Sequence, residues 1–312
     1  MSIKDLVDRG RAANLIHLEE QETLTRDKVL PVVPELVEEI TRIRKRFDDK
    51  FQRRYATMAK VVSTAKGDMN PASYPIGFCK EICEELKDQL SRNIRIQELV
   101  SKGVVFRSVY IILYGRYFQN ALQLGNLYFD AANDTVDPKK PFLEWMPINE
   151  LDYENLESWE QVIPVVESYL HCEVVPNHVF PLLAPLVPLL GIRSNGRIDL
   201  LFFQDNFFLK DLGDGMPRYL EWISSRKGAA ARRLNRSDIA MLTRQFGAND
   251  FDHFPFEFSP GTVDDLVAQA QELVEISQQE DGEKILLKLS ELSHQAVRLF
   301  RRKNLLSSRK QG

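Results

Sequence analysis

"VVFRSVYIILYGRYFQNALQLG", residues 104–125, decides how the middle of this chain is built. Apolar and aromatic residues are so dense in it that neither a period of two nor one of 3.6 stands out. The run fits a buried helix, or a strand followed by a helix, and periodicity leaves both open. It continues into "GNLYFDAANDTVDP", 125–138, where apolar residues give way to Asp130, Asn133, Asp134 and Asp137 before Pro138. That second stretch reads as a strand ending in a polar turn. Asn and Asp bond their own backbone in turns, and Asp-Pro favours turn initiation.

On the N-terminal side the pattern is helical. Leu36, Ile40, Ile43, Phe47, Phe51, Tyr55, Met58 and Val62 recur in steps of three and four, a continuous helical stripe. Pro31 and Pro34 mark its approach. The other face is expected to carry Arg42, Arg44, Lys45, Arg46, Lys50, Arg53 and Arg54. It reads as a solvated basic face, or as a surface for an acidic protein or anionic lipid along 36–62. "KGDMNPASYPIG", 66–77, reads as a loop. A second helix is expected over 78–100, with Ile82, Leu86, Leu90, Ile94 and Leu99 inward.

On the C-terminal side "PFLEWMPI" and "CEVVPN" look extended, "RIDLLFFQDNFFLKDL" reads as a buried strand continuing into a second strand or a loop, and "YENLESWEQVIPVVESYL", "PRYLEWISSRKGAAARRL" and "RSDIAMLTRQFG" look helical. Short apolar runs among helices argue for a central sheet covered by helices. Leu266 to Leu299 reads as a helical hairpin broken at Asp281-Gly282, followed by a basic tail. The expected organisation is a helical region (1–102), a mixed core (103–260) and a C-terminal hairpin with its basic tail (261–312), packed as one compact unit. The class is α/β, helix-rich and mixed.

The totals narrow the function classes. With 312 residues, 44% hydrophobic and 28% charged, the chain can bury a sizeable core. A net charge of −4 gives no general attraction to nucleic acid, which is not expected as a partner. The start, "MSIKDLVDRGRAANL", lacks the long apolar run of a secretory signal. "VFPLLAPLVPLLGI", 179–192, is too short and too rich in proline for a membrane span. Three cysteines, Cys79, Cys83 and Cys172, fit free thiols in a reducing compartment, so the expected location is cytoplasmic. No P-loop, dinucleotide fingerprint, nucleophile elbow or zincin motif occurs.

Three clusters carry chemistry. Asp130 and Asp134 stand at the end of a strand, where ligands of open α/β sheets bind, and two such carboxylates can bridge a hard divalent cation to a diphosphate. The amides of Gln119, Asn120, Gln123 and Asn126 need partners if buried, either a polar ligand or an internal network. "RKGAAARRLNR" supplies Arg232 and Arg233, whose guanidinium forks match phosphate, or which form a solvated helix face. "NDFDHFPFEF" supplies Asp252 and His253 as ligands or bases, or His253 as a packing residue. His171, His178 and His253 could also serve a non-haem iron site.

"RYFQNALQLGNLYFDAAND" resembles the segment of GT-A-fold glycosyltransferases that ends in the DXD motif. That pattern is a helix with Arg and Leu, two glycines, then an apolar–Tyr–apolar–Asp strand and a second Asp. Arg116, Leu122, Gly125, Tyr128 and Asp130 fall near the matching places. Asn126 stands for the second glycine. Ala132 stands where the second Asp belongs, so Asn133 or Asp134 would replace it. The resemblance covers about 20 residues and implies metal-dependent glycosyl transfer from a nucleotide sugar to an acceptor. Mn or Mg would sit on Asp130 and Asp134. Arg116, Asn126, Arg232 and Arg233 would hold the donor, and Asp252 or His253 would activate the acceptor. The other expectations are a non-catalytic interaction or adaptor protein and an iron-dependent oxygenase.

Overall fold

The computed structural model describes residues 14–58, 74–177, 189–194, 198–201 and 217–224. Residues 104–125 form two paired strands rather than a helix or a strand and a helix. β1 (Phe106–Leu113) and β2 (Tyr117–Leu124) run antiparallel, with Phe106 opposite Leu124 and Leu113 opposite Tyr117. The turn decides this. Tyr114 and Gly115 have φ of 53° and 60°, the double left-handed signature of turns whose twist matches paired strands. The Tyr114 amide donates to the Asp152 carbonyl at 3.1 Å, which holds the non-glycine residue in place. The β-branched and aromatic residues on both sides suit a pleated, half-buried surface. The helix that the resemblance implies around Arg116 and Leu122 is therefore corrected to a turn at Arg116 and a strand through Leu122.

A second hairpin follows. Gly125 takes φ 58° and β3 (Leu127–Asp130) returns along β2. β4 (Glu144–Pro147) and β5 (Tyr153–Asn155) complete a sheet of order β4-β3-β2-β1-β5, antiparallel at every pairing. Helices cover one face. There Leu122, Leu124, Leu127 and Phe129 pack with α1 (Val33–Met58), α2 (Cys79–Ser91) and α3 (Ile94–Ser101). α1 buries Val33, Leu36, Ile40 and Ile43 at helical spacing, as the stripe predicts. α2 and α3 were expected as one helix, but Asn93 breaks it. Its side chain accepts from the amides of Arg95 and Ile96 and so starts a new helix. The break shifts the phase, and Ile94, expected inward, is 70% exposed.

The other sheet face carries Val109, Ile111, Leu113, Ala121 and Tyr128 beneath Leu15 and Ile148. Before α1 the chain winds through a 3-10 turn (Glu19–Gln21), a turn of α-helix and a π turn (Thr25–Val29). All of this belongs to one compact unit, Ala12–Leu156.

The second unit, Met1–Arg11 with Glu157–Gly312, holds α4 (Trp159–Leu170), β6 (Cys172–Pro176), β7 (Leu189–Arg193), β8 (Ile198–Leu201) and α5 (Pro217–Ser224). Ser158 and Gln161 cap α4 reciprocally, and His171 ends it in left-handed backbone. β6, β7 and β8 pair antiparallel in that order. Trp159 of α4 meets Tyr219 of α5 edge-on, and Trp222 packs on both at a tilt. Among the described residues no helix is long and apolar enough to cross a membrane. The expected hairpin over 261–312 and the helix "RSDIAMLTRQFG" lie outside the described residues.

Candidate functional site

The polar residues singled out in the sequence cluster around β2 and β3, but each faces a protein partner. Asp130 ends β3 and is buried. Its Oδ1 accepts from the Ala132 amide at 2.8 Å, and Oδ2 accepts from Gln119 Nε2 at 2.6 Å and Tyr128 Oη at 3.2 Å. Burial pushes its pKa up to about 6, although these three donors pull the other way; the charge of Glu144 adds to the rise. Gln119 Nε2 also donates to the Ala132 carbonyl at 3.1 Å, while Gln119 Oε1 is buried with no hydrogen-bond partner.

Asp134 points elsewhere. Its two oxygens accept from Nη1 and Nη2 of Arg44, both at 3.0 Å. Arg44 Nε donates to Asp48 Oδ1 at 2.7 Å, and Nη1 also donates to the Ala131 carbonyl. Tyr74 Oη donates to Asp48 in turn. Desolvation pulls the guanidinium pKa down, and the bonds to Asp134 and Asp48 more than reverse it. Arg44 was expected on the exposed basic face, but it is only 2% exposed. Ile40, Arg44 and Asp48 are successive i,i+4 positions, so Arg44 shares the inward stripe. Asp48 four residues on is the sequence signal for an internal pair.

A cation held by Asp130 and Asp134 would have to displace Gln119, Tyr128 and Arg44. Among the described residues no group of three or more His, Cys, Asp or Glu side chains is placed to hold a metal ion. The reason for expecting a ligand past β3 also changes. The rule that ligands sit beyond the carboxyl ends of strands belongs to open parallel sheets, and this sheet is antiparallel. Arg116 is exposed in the β1–β2 turn. Arg232, Arg233, Asp252, His253 and His178 lie outside the described residues. His171 is an exposed helix terminus, and burial raises the Cys172 thiol to about 11. Cys83 donates to the Ala121 carbonyl at 3.3 Å, and burial pushes its pKa far up, so it stays a thiol.

The amides resolve as internal partners: Gln119 serves Asp130, Asn120 Nδ2 donates to Cys79 Sγ at 3.4 Å, and Gln123 and Asn126 hold a covering segment. Residues 15–18 cross the sheet face opposite the helices as a strap outside the strand ladder. Asn155 grips Leu15 as a strand partner would: Oδ1 accepts from its amide at 2.9 Å and Nδ2 donates to its carbonyl at 3.0 Å. Tyr153 Oη donates to the same carbonyl at 3.1 Å. Gln123 Nε2 donates to the Ile16 carbonyl at 2.7 Å. Asn126, expected on a nucleotide sugar, instead grips Leu18, accepting from its amide at 2.9 Å and donating to its carbonyl at 2.8 Å. The Asn126 amide donates to Thr25 Oγ1 at 2.8 Å. Gln21 finishes the seam, donating to the Gly103 carbonyl and accepting from the Val105 amide, both at 3.0 Å. Leu15 is the strap's apolar anchor, fully buried among Val109, Ile111, Leu113, Ala121, Tyr128 and Ile148.

Sequence reasoning missed Asn155 and Tyr153 because the strap they hold is 138 and more residues away in the chain. It also missed Lys140, whose Nζ donates to Tyr117 Oη at 2.8 Å and lies 5.8 Å and 5.2 Å from the Tyr114 and Tyr117 ring centroids. Compared with known proteins, the chain matches no family model, no curated protein and no solved structure.

Proposed function

We propose that this chain is a non-catalytic interaction protein whose Ala12–Leu156 unit receives an extended peptide on its open sheet face. The grip on residues 15–18 carries the reading. Asn155 and Asn126 each satisfy both the N–H and the C=O of one strap residue. Such contacts read main chain and leave the sequence free, while one leucine-sized pocket supplies an anchor. Residues 15–18 occupy this site in cis. The commitment of Asp130 and Asp134 to internal partners supports a binding role over metal-assisted glycosyl transfer.

The test uses the full chain with Leu15→Ala, which weakens the cis anchor, and a labelled peptide of residues 12–20, AANLIHLEE. Fluorescence anisotropy should show saturable binding to the variant, weaker binding to the wild type, and none by a peptide carrying Leu15→Asp. A folded variant, checked by circular dichroism, that takes up no peptide would reject the reading.

A second reading rests on α1. Arg42, Lys45, Arg46, Lys50 and Arg53 are exposed on it, against exposed Glu35, Glu38 and Asp49. This surplus supports docking of an acidic partner, with Arg44 excluded from the surface. Charge reversal at Lys45 and Arg46 together should abolish such binding and leave peptide uptake by the sheet face unchanged.

A further inference from the structure

We infer that the peptide received by the sheet face carries a carboxylate next to its buried leucine, and that Arg107 recognises it. This rests on the peptide-receiving reading above. Arg107 stands on β1 opposite Gln123, on the face that carries the strap. Its Nε donates to Gln123 Oε1 at 3.0 Å, and Gln123 Nε2 donates to the Ile16 carbonyl. The guanidinium is thus one side chain away from the strap's main chain.

Arg107 lacks what Arg44 and Arg193 have. Arg44 meets two carboxylates and a carbonyl. Arg193 meets Asp199 and the Leu170 carbonyl, both at 2.8 Å. Among the described residues Arg107 makes no ion pair, and its Nη2 is closed off from solvent with no hydrogen-bond partner. Burial lowers its pKa accordingly. A cationic donor left without a partner costs more than a neutral one, so a ligand that completes it gains affinity.

The cis strap does not complete it. It offers Ile16, which is apolar, and His17, whose ring nitrogen lies 3.2 Å from Asn126 Nδ2. A ligand with Asp or Glu at either place would bring a carboxylate beside Gln123, the side chain to which Arg107 donates, and arginine favours a charge-assisted, forked pair with such a group. Charge complementarity therefore selects an acidic extended peptide.

Anisotropy titrations of the Leu15→Ala protein would compare the 12–20 peptide with its Ile16→Glu and His17→Glu forms. One acidic form should bind at least tenfold tighter than the parent, and in the Arg107→Met protein the acidic and parent forms should bind alike. If the parent binds and neither acidic form gains, the Arg107 inference fails while the peptide-receiving reading stands. If no peptide binds, both fail. A second measurement does not depend on peptide uptake. Ile16→Glu or His17→Glu placed in the full-length chain should raise the melting temperature with Arg107 present and not with Arg107→Met. Equal shifts in both backgrounds would overturn the inference.

Discussion

Asp130→Asn tests the buried carboxylate directly. Burial raises the pKa of Asp130 from 3.8 to about 6. Neutralisation also lets its surroundings rearrange. With a proton on Asp130, Gln119 can turn its amide so that Oε1, otherwise buried without a partner, accepts from the carboxyl. The Ala132 carbonyl then loses Gln119 but keeps Thr135, whose Oγ1 and amide donate at 2.6 and 2.9 Å. A folded pKa above the unfolded one means the group contributes stability below the unfolded value and loses it as pH rises through the folded value. At about 1.4 kcal/mol per pH unit the whole window amounts to about 3 kcal/mol. Between pH 4 and pH 7.5 about 2 kcal/mol of it falls away. Urea unfolding of wild type and Asp130→Asn at both pH values gives the difference, and other carboxylates cancel. The wild type should lose about 2 kcal/mol relative to the variant on going to pH 7.5. A difference that stays flat within about 0.5 kcal/mol, or moves the other way, would refute the reasoning.

Two further outcomes follow from local geometry. Arg44→Ala strands Asp134 and Asp48 without their cation and should cost about 3–5 kcal/mol in urea unfolding, whereas Lys45→Glu, one residue on and exposed, should stay within about 0.5 kcal/mol. Gly125→Ala places a Cβ 2.4 Å from Thr25 Oγ1 at a left-handed φ and should cost about 2 kcal/mol or more, whereas Gly115→Ala, with φ 60° but open space around it, should cost about 1 kcal/mol; equal losses would deny the role of Thr25.

Elements whose pattern has a clear period were legible in the sequence. Leu36, Ile40 and Ile43 line the inward face of α1, and Ile82, Leu86 and Leu90 that of α2, because a helix presents every third and fourth residue to one side. The strand at "NLYFD" and the extended segments "EWMP" and "CEVVP" were legible from composition and flanking turns. The run 104–125 was not, because both strands are buried on both faces for much of their length and leave no alternation to read. What settles it is Tyr114-Gly115, and a tyrosine in left-handed backbone is not a signal that composition provides. Arg44 was misplaced for a related reason. Six other basic residues surround it in the sequence, and its phase relative to Ile40 and Asp48 is what separates it from them.

The amide-rich strand was legible as a demand for partners, and its answer required the third dimension. A chain segment that crosses a sheet face cannot join the strand ladder, yet its N–H and C=O groups must still be satisfied once covered. Only side chains standing off that face can do this. Asn and Gln are suited because one amide carries both a donor and an acceptor at the spacing of a peptide group. Asn126 and Asn155 act in this way on Leu18 and Leu15. A cation site makes the opposite demand, since it needs oxygens with no donors already upon them, and Asp130 has three. The density of amides beside Asp130 therefore argues against a metal there and for a covering chain. Among the described residues Arg107 Nη2 is a buried donor on that face that the strap leaves without a partner, and it is where we propose that a different covering chain would be told apart from this one.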